Sequence, residues 1–272
     1  MPELPEVETT GRGIAPHIEG RAVTRVILRE PRLRWPVSQE MVAALPGQTL
    51  GRVTRRAKYL IVDTSAGNWL LLHLGMSGRL RVVPADTPAG RHDHLDIVVE
   101  SGQCLRYTDP RRFGSVLWLG EPPERHPLLR DLGPEPLGDA FDGALLYRRS
   151  RGRSVAVKQF LMDSKVVVGV GNIYANEALH IAGISPVRAA GRVSRARYDA
   201  LAAAVREVLA DAIRRGGTTL RDYSNAHGEQ GFFQLELRVY GRSGEPCPVC
   251  GEAVRQRVIG QRSTFWCAGC QK

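Results

Sequence analysis

The chain has no run of about 18 uncharged apolar residues, the minimum for a membrane-spanning helix. Its first residues, Met-Pro-Glu-Leu-Pro-Glu, lack the basic start and apolar stretch of a secretion signal, so the sequence predicts a soluble cytoplasmic protein. There is no internal repeat and no low-complexity tract. A Walker lysine is missing, as is a G-x-G-x-x-G after a strand, which disfavours an NTPase or a dinucleotide enzyme and predicts no nucleotide cofactor. Lysine is scarce: Lys58, Lys158, Lys165 and Lys272 are 4 of the 38 basic residues, and arginine supplies the other 34. Arginine does not lose its proton to act as base or nucleophile, so the interior lysines Lys58 and Lys158 are positions to watch.

What is present points to a folded protein with a polyanionic partner. With 272 residues, 43% of them hydrophobic, the chain is long enough for one large domain or two to three smaller ones. The 38 Lys and Arg against 28 Asp and Glu give a net charge of +10, and part of the surface must carry a positive field. Val7, Ile14 and Ile18 recur at helical spacing between Glu3 and Ile18, with Pro2 and Pro5 tolerable only in a first turn. Strand-like runs follow at Val23 to Leu28, Val53 to Val62, Trp69 to Leu74, Leu80 to Val83, Leu95 to Val99, Leu105 to Tyr107 and Val116 to Leu119, with a hairpin turn at Ser101-Gly102. Short strands with turn signals between them predict a β-sandwich or barrel.

Gly133-Pro134-Glu135-Pro136-Leu137-Gly138 marks a composition shift and the expected domain boundary. Beyond it the pattern is helical. Asn172 is placed to cap a helix over Ile173 to Ala182, and Ser194 a longer one whose Leu201, Val205, Val208, Leu209, Ala212 and Ile213 share a face. Thr218 to Gly231, polar and glycine-bearing, reads as a mobile loop.

Cys247-Pro-Val-Cys250 and Cys267-Ala-Gly-Cys270 have the spacing of a tetrahedral four-thiolate zinc site. With four protein ligands no position is left for a catalytic water, so one structural Zn²⁺ is expected; redox chemistry or disulfides are the alternatives. Cys104, on a predicted strand, reads as an inert buried thiol. Between the knuckles lies Gln261-Arg262-Ser263-Thr264-Phe265-Trp266, where Arg262 is either a phosphate contact or a solvated arginine. Gly169-Val170-Gly171 before a helix start suits either a phosphate-binding turn or a plain tight turn.

The terminus has unusual chemistry available. Removal of Met1 would leave Pro2 with a secondary α-amine of pKa about 7.7–8.0, partly neutral and nucleophilic at physiological pH. Such an amine attacks a sugar C1′ to give an iminium ion, with Glu3 alongside for proton transfer and Glu6 one turn on. The bland alternative is that Pro2 and the two acids only start a helix.

Further motifs bear on that choice: PELPEVET at Pro2, RRAKYL around Lys58, HLGMSG around Met76, HDH at His92, YTDPRRFG around Arg111, LGPEPL at Leu132, VVGVGNIYANEAL around Asn172, GGTTL at Gly216, VYGR at Val239, and CPVCG to QRSTFWCAGCQK. In this order, over essentially the whole chain, the sequence resembles the formamidopyrimidine-DNA glycosylases, base-excision enzymes for oxidised purines. The Pro-Glu-Leu start and the Met, Arg and Phe wedge fit that branch better than the endonuclease VIII type, which acts on oxidised pyrimidines.

The resemblance implies an α+β multidomain fold: an N-terminal β-sandwich with flanking helices (1–133), a helical domain with a helix-two-turn-helix motif (134–237) and a zinc finger (238–272). It implies Pro2 as nucleophile, Glu3 for proton transfer, Lys58 as proton donor in β-elimination and phosphate contact, and Arg262 for δ-elimination and phosphate binding. Met76, Arg111 and Phe113 would fill the stack once the damaged nucleotide has swung out. His92, Arg111, Arg153, Lys158, Asn172 and Tyr240 would contact the DNA, residues 218–231 would form the lid, and Cys247, Cys250, Cys267 and Cys270 would hold zinc. The partner is damaged double-stranded DNA, met by a monomer. Two rivals are a non-catalytic DNA-binding protein and an RNA-binding zinc ribbon; no RNA-recognition motif supports the second.

Overall fold

The computed structural model describes residues 2–216 and 237–272. The GGTTL motif from Gly217 on and the expected loop and lid at 218–231 lie outside the described residues. The chain divides into two compact units, one reaching to Arg130 and the other comprising residues 131–215 with those from 237 onward. The helical segment and the cysteine knuckles thus belong to one unit.

The first unit opens with helix α1 (Leu4–Ile18). Glu3 is its N-cap and Glu6 closes a capping box, its carboxylate accepting from the Glu3 N–H at 2.8 Å, while Pro5 sits in the first turn where no donor is lost. Two four-stranded antiparallel sheets follow. One has the order β1 (Val23–Leu28), β6 (Asp93–Val99), β7 (Gln103–Thr108), β5 (Arg79–Pro84); the other runs β2 (Leu50–Arg56), β3 (Tyr59–Thr64), β4 (Trp69–His73), β8 (Ser115–Leu119). A short helix, α2 (Gln39–Ala44), has no signal in the sequence reading and is capped by Ser38.

The alternation of each strand explains the core. Leu60 and Val62, Leu70 and Leu72, and Val116 from one sheet meet Leu95, Ile97, Val99, Leu105 and Tyr107 from the other, with Val7, Ile14 and Ile18 of α1 in the same cluster. Each such side chain contributes about 1.5–3 kcal/mol when fully buried. Gly11 lets α1 lie close: a Cβ there would sit 2.8 Å from Leu60 Cδ2. On the reverse face of β6, Asp96 is held by Arg106 through paired bonds of 2.9 Å and by Arg29 at 2.6 Å, which is why that strand is buried on both sides.

One expected strand is corrected. Val53 to Val62 is not continuous but a hairpin, broken where Ala57 turns left-handed (φ 55°) between β2 and β3. Alternation cannot distinguish one long strand from two joined by a two-residue turn.

The second unit contains α3 (Gly143–Ser150), α4 (Val157–Leu161), α5 (Asn172–Ile181), α6 (Arg195–Arg214) and the hairpin β9 (Arg255–Ile259) with β10 (Arg262–Trp266). Ser194 caps α6 as expected, its hydroxyl accepting from the Arg197 N–H. The cap of α5 is Gly171, not Asn172, which is the first helical residue. Its amide is drawn away to the carbonyl of Ser263, 3.0 Å off on the finger. Gly169 turns left-handed (φ 78°), the mark of a tight turn ahead of the helix.

Candidate active site and metal centre

Pro2 is buried directly ahead of the N-cap of α1, and Glu3 is only 2% exposed. Thr10 Oγ1 donates to the Glu6 carbonyl at 2.7 Å, stiffening the first turns. Lys58, half-buried, stands at the β2–β3 turn. That turn is tied to α1 by Arg55, whose Nε donates to Glu8 at 2.8 Å and whose Nη1 donates to the Ala57 carbonyl at 2.9 Å. Burial alone would raise the Glu8 carboxyl, but hydrogen bonds from Arg55 and Arg12 hold it below the usual range.

A neighbour that sequence reasoning misses is His73, at the end of β4, whose ring stacks at a tilt 4.8 Å from that of Tyr59. Burial, with the charges of Lys58 and Arg34 adding to it, pulls its pKa down to about 4. It is therefore neutral at physiological pH. Its Nδ1 accepts from the Gly75 N–H at 3.0 Å, which leaves the proton on Nε2. The available signal is the first residue of HLGMSG, but neither charge nor spacing distinguishes it from a core histidine.

Two tight loops carry the expected wedge. Met76, 42% exposed, tips a turn closed by the Gly78 N–H donating to the Leu74 carbonyl. Asp109-Pro110-Arg111-Arg112 is a turn with proline at its second position, closed by Arg112 N–H to Asp109 O. Arg112 adopts φ 57°, and Phe113 follows at 46% exposure with the Arg111 guanidinium 4.7 Å over its ring.

In the second unit, Cys247, Cys250, Cys267 and Cys270 bring their sulfurs within 4.8 Å of one another. The Cys250–Cys267 and Cys247–Cys270 separations are 3.3 and 3.8 Å, far beyond a disulfide bond and near the ~3.8 Å edge of a tetrahedron with 2.3 Å Zn–S bonds. The four thiols fit a structural zinc ion. His180 Nε2 lies 3.4 Å from Cys247 Sγ, a contact that the sequence does not announce. Cys104 is a buried free thiol, pushed up by burial and by Asp96.

The expected DNA contacts divide. Arg262 is exposed at the finger hairpin, just after Gly260 and Gln261 turn left-handed, and Arg153 is exposed. His92 is half-buried, its ring 6.4 Å from that of His94. Tyr240 packs edge-on to Phe265 at 5.2 Å, and its N–H is one of three, with Arg238 and Val239, that donate to the buried carboxylate of Glu177. Lys158 departs from expectation. It is 1% exposed, and its ammonium donates to Ser263 O at 3.0 Å and Thr264 Oγ1 at 2.7 Å. In this structure its ammonium braces the finger.

Comparison with known proteins bears on the whole chain. Residues 1–116 match the formamidopyrimidine-DNA glycosylase N-terminal domain, 132–224 the formamidopyrimidine-DNA glycosylase H2TH domain, and 244–272 a zinc finger found in FPG and IleRS. The chain is 61% identical to the formamidopyrimidine-DNA glycosylase of Stenotrophomonas maltophilia (strain R551-3) over 272 residues, 100% of both. Among solved structures, the MutM (Fpg) protein of Thermus thermophilus shares 39% identity with a TM-score of 0.88, covering 99% of this chain and 98% of that one. Lactococcus lactis Fpg bound to DNA containing an abasic site shares 33% identity with a TM-score of 0.92, covering 100% of both. With a β-sandwich, an H2TH segment and a four-cysteine finger in this order, and with that degree of identity along its full length, the chain belongs to the formamidopyrimidine-DNA glycosylase family.

Proposed function

We propose that the chain is a cytoplasmic, monomeric base-excision repair enzyme that removes oxidised purines, 8-oxoguanine and formamidopyrimidines, from duplex DNA and then cleaves the strand. Once Met1 is removed, the Pro2 amine attacks C1′ of the damaged nucleotide, the base departs with its bonding electrons, and the C1′–O4′ bond then opens with a proton passed to O4′ through Glu3, leaving an iminium between Pro2 and C1′ of the ring-opened sugar. The resulting iminium acidifies C2′. Loss of that proton expels the 3′ phosphate, with Lys58 donating a proton and holding phosphate, and a second elimination expels the 5′ phosphate with Arg262 engaged. The products are the free base, a one-nucleotide gap flanked by phosphates, and the unsaturated sugar aldehyde that water releases by hydrolysing the iminium on Pro2.

Met76, Arg111 and Phe113 occupy the space vacated by the flipped nucleotide, the aromatic ring entering the stack and the guanidinium meeting the estranged cytosine. His92, Arg153, Asn172 and Tyr240 take backbone phosphates. Zinc held by Cys247, Cys250, Cys267 and Cys270 supplies rigidity to the finger and no chemistry.

The observation that carries this reading is the terminal arrangement: Pro2 buried ahead of a capped helix, with the Lys58 turn anchored to the same helix through Glu8 and Arg55. The test is borohydride trapping on a duplex with 8-oxoguanine opposite cytosine, followed by mass mapping. A covalent adduct on Pro2 is expected. A free proline terminus on bound DNA with no adduct would overturn the imine step.

A further inference from the structure

The exposed wedge side chains stand on two turns, each closed by its own backbone hydrogen bond, that come from different parts of the chain. Met76 belongs to the turn after β4; Arg111 and Phe113 belong to the turn before β8. What joins these turns is Asp109, a fully buried carboxylate (0% exposed). Its Oδ1 accepts from the Ser77 hydroxyl at 2.6 Å, and its Oδ2 from the Gly114 N–H at 2.8 Å, with the Tyr107 hydroxyl at 3.5 Å. Ser77 Oγ in turn accepts from the Arg111 N–H at 3.2 Å.

The same residue's backbone is committed as well. Its N–H donates to the His92 carbonyl at 3.1 Å, and its own carbonyl faces His94 Nε2 at 2.8 Å. The two turns also touch directly. A Cβ on Gly75 (φ 61°) would lie 2.5 Å from Gly114 N, and one on Gly114 would collide with Tyr107 Oη. Tyr107 Oη donates to the His73 carbonyl at 3.1 Å, and burial with the adjacent Asp109 keeps that phenol protonated.

We propose that Asp109 is a positioning residue that locks the Met76 turn and the Arg111–Phe113 turn into one rigid wedge before DNA is met, so that inserting it into the base stack requires no ordering of the loops. This rests on the wedge role proposed above. Ordering two loops on binding would subtract from affinity for the opened duplex, because each immobilised side chain costs conformational entropy at that moment. A prefixed wedge avoids that cost. Asp109 touches neither substrate nor reacting atoms, and the consequence is selective. Excision of a stacked, paired 8-oxoguanine needs the wedge, whereas strand cleavage at a ready-made abasic site, with no base to evict, depends on it far less.

The chemistry of the cluster supplies a rescue. In Asp109→Asn the amide oxygen can take the place of Oδ2, accepting from Gly114 and Tyr107, while the amide N–H donates to Ser77 Oγ, whose role as acceptor for Arg111 N–H survives. In Asp109→Ala the Gly114 N–H and the Ser77 hydroxyl both lose the acceptor that joins their turns.

The experiment compares the full-length, zinc-loaded wild type, Asp109→Ala, Asp109→Asn and Ser77→Ala. Single-turnover excision of 8-oxoguanine, cleavage of a preformed abasic site, and the fluorescence of 2-aminopurine placed beside the lesion to report unstacking are measured on each. Asp109→Ala is expected to lose excision by about 100-fold and the fluorescence rise with it, yet to cut abasic DNA within about threefold of wild type. Asp109→Asn should recover excision to within about fivefold, and Ser77→Ala, which loses one arm, should fall between.

Equal losses in both activities, or undiminished excision and unstacking in Asp109→Ala, would overturn the clamp. Should Asp109→Ala fail to fold, Ser77→Ala carries the same decision: excision lost out of proportion to abasic cleavage supports the clamp, and proportionate or no loss refutes it. If the wild type itself gives no unstacking signal while binding the lesion, the wedge reading fails rather than the clamp.

Discussion

The β-sandwich and the cysteine finger solve the problem of holding a functional side chain in opposite ways. In the sandwich, α1 and two sheets share one continuous apolar cluster, and polar ties such as Asp109 and Asp96 are added where a loop or a strand face must be fixed. In the finger the apolar cluster is Val239, Cys247, Val254, Phe265 and Cys267, two of them metal-site thiols, with Tyr240 and Cys270 packed against it. Too little apolar surface is buried there for a fold to stand on it. Side chains of the helices make up part of the difference. Glu177 takes three consecutive N–H groups, Asn176 Oδ1 accepts from Phe265 N–H at 2.8 Å, and Gln271 links Cys267 to Ile184. One module is stable because of what it excludes from water; the other because of what it coordinates and hydrogen-bonds.

Zinc removal should break this comparison most visibly. Structural zinc is worth about 10–16 kcal/mol of apparent binding energy in small fingers, so chelation should unfold the β9–β10 hairpin and abolish DNA binding while the sandwich keeps its own melting transition. Calorimetry and amide exchange with and without chelator would show it. A single transition lowered as a whole would mean that the modules are not independent. A core truncation does the converse. Leu72→Ala, in a fully packed site, should cost the sandwich about 2–5 kcal/mol by urea denaturation and leave zinc content unchanged.

The sandwich is legible in the sequence because its signal is periodic. The run from Val23 to Leu28 has the bounds of β1, and the strands through Leu119 follow in the expected order, the exception being the turn at Ala57-Lys58, which has no glycine or asparagine to announce it. The metal site is legible for a different reason, since paired C-x-x-C spacing is a chemical pattern. What the sequence hides are the polar ties. Lys158 is a phosphate contact by resemblance alone; nothing local reveals that Thr264, far along the chain, sits 2.7 Å from its ammonium. Asp109, Glu177 and His73 escape notice for the same reason. The groups that fix them include Ser77, the amides of Arg238 to Tyr240 and the ring of Tyr59, all well away in sequence, and periodicity carries no information about them.

His73 gives the sandwich a pH dependence of its own. Its folded pKa of about 4 lies below the ordinary 6.5, so between those values the unfolded chain binds a proton that the fold refuses. The stabilisation is fully present near pH 7 and is lost as pH falls through 6.5 toward 4, by up to ~3 kcal/mol. The facing groups are Lys58 and Arg34, which oppose its protonation, and Asp109, which favours it. Asparagine at this position can still accept from the Gly75 N–H. The stability difference between wild type and His73→Asn should therefore narrow or reverse in acid, as followed by urea midpoints from pH 7 to pH 5; a difference independent of pH would place the histidine's proton elsewhere.

The smallest effect separates two cations at the finger hairpin, Arg262 on it and Lys158 of α4 beneath it. A side chain that neutralises a phosphate releases a counterion, so its loss weakens binding and lowers the salt dependence of log K by about one unit of slope. Arg262, exposed at the hairpin, should behave so in Arg262→Ala. Lys158→Met keeps the buried stem but removes the ammonium's bonds to Ser263 O, which retains Asn172, and to Thr264 Oγ1, at a cost of about 1–3 kcal/mol that falls on the finger rather than on the DNA. Its zinc should leave faster to a chelator, and its affinity should drop by the same factor at every salt concentration, with the slope unchanged. Fluorescence anisotropy on an abasic-analogue duplex from 50 to 200 mM salt, roughly the window over which such slopes are resolved, distinguishes the two. A slope reduced as much by Lys158→Met as by Arg262→Ala would return Lys158 to the phosphate contacts and require the finger to open when DNA binds.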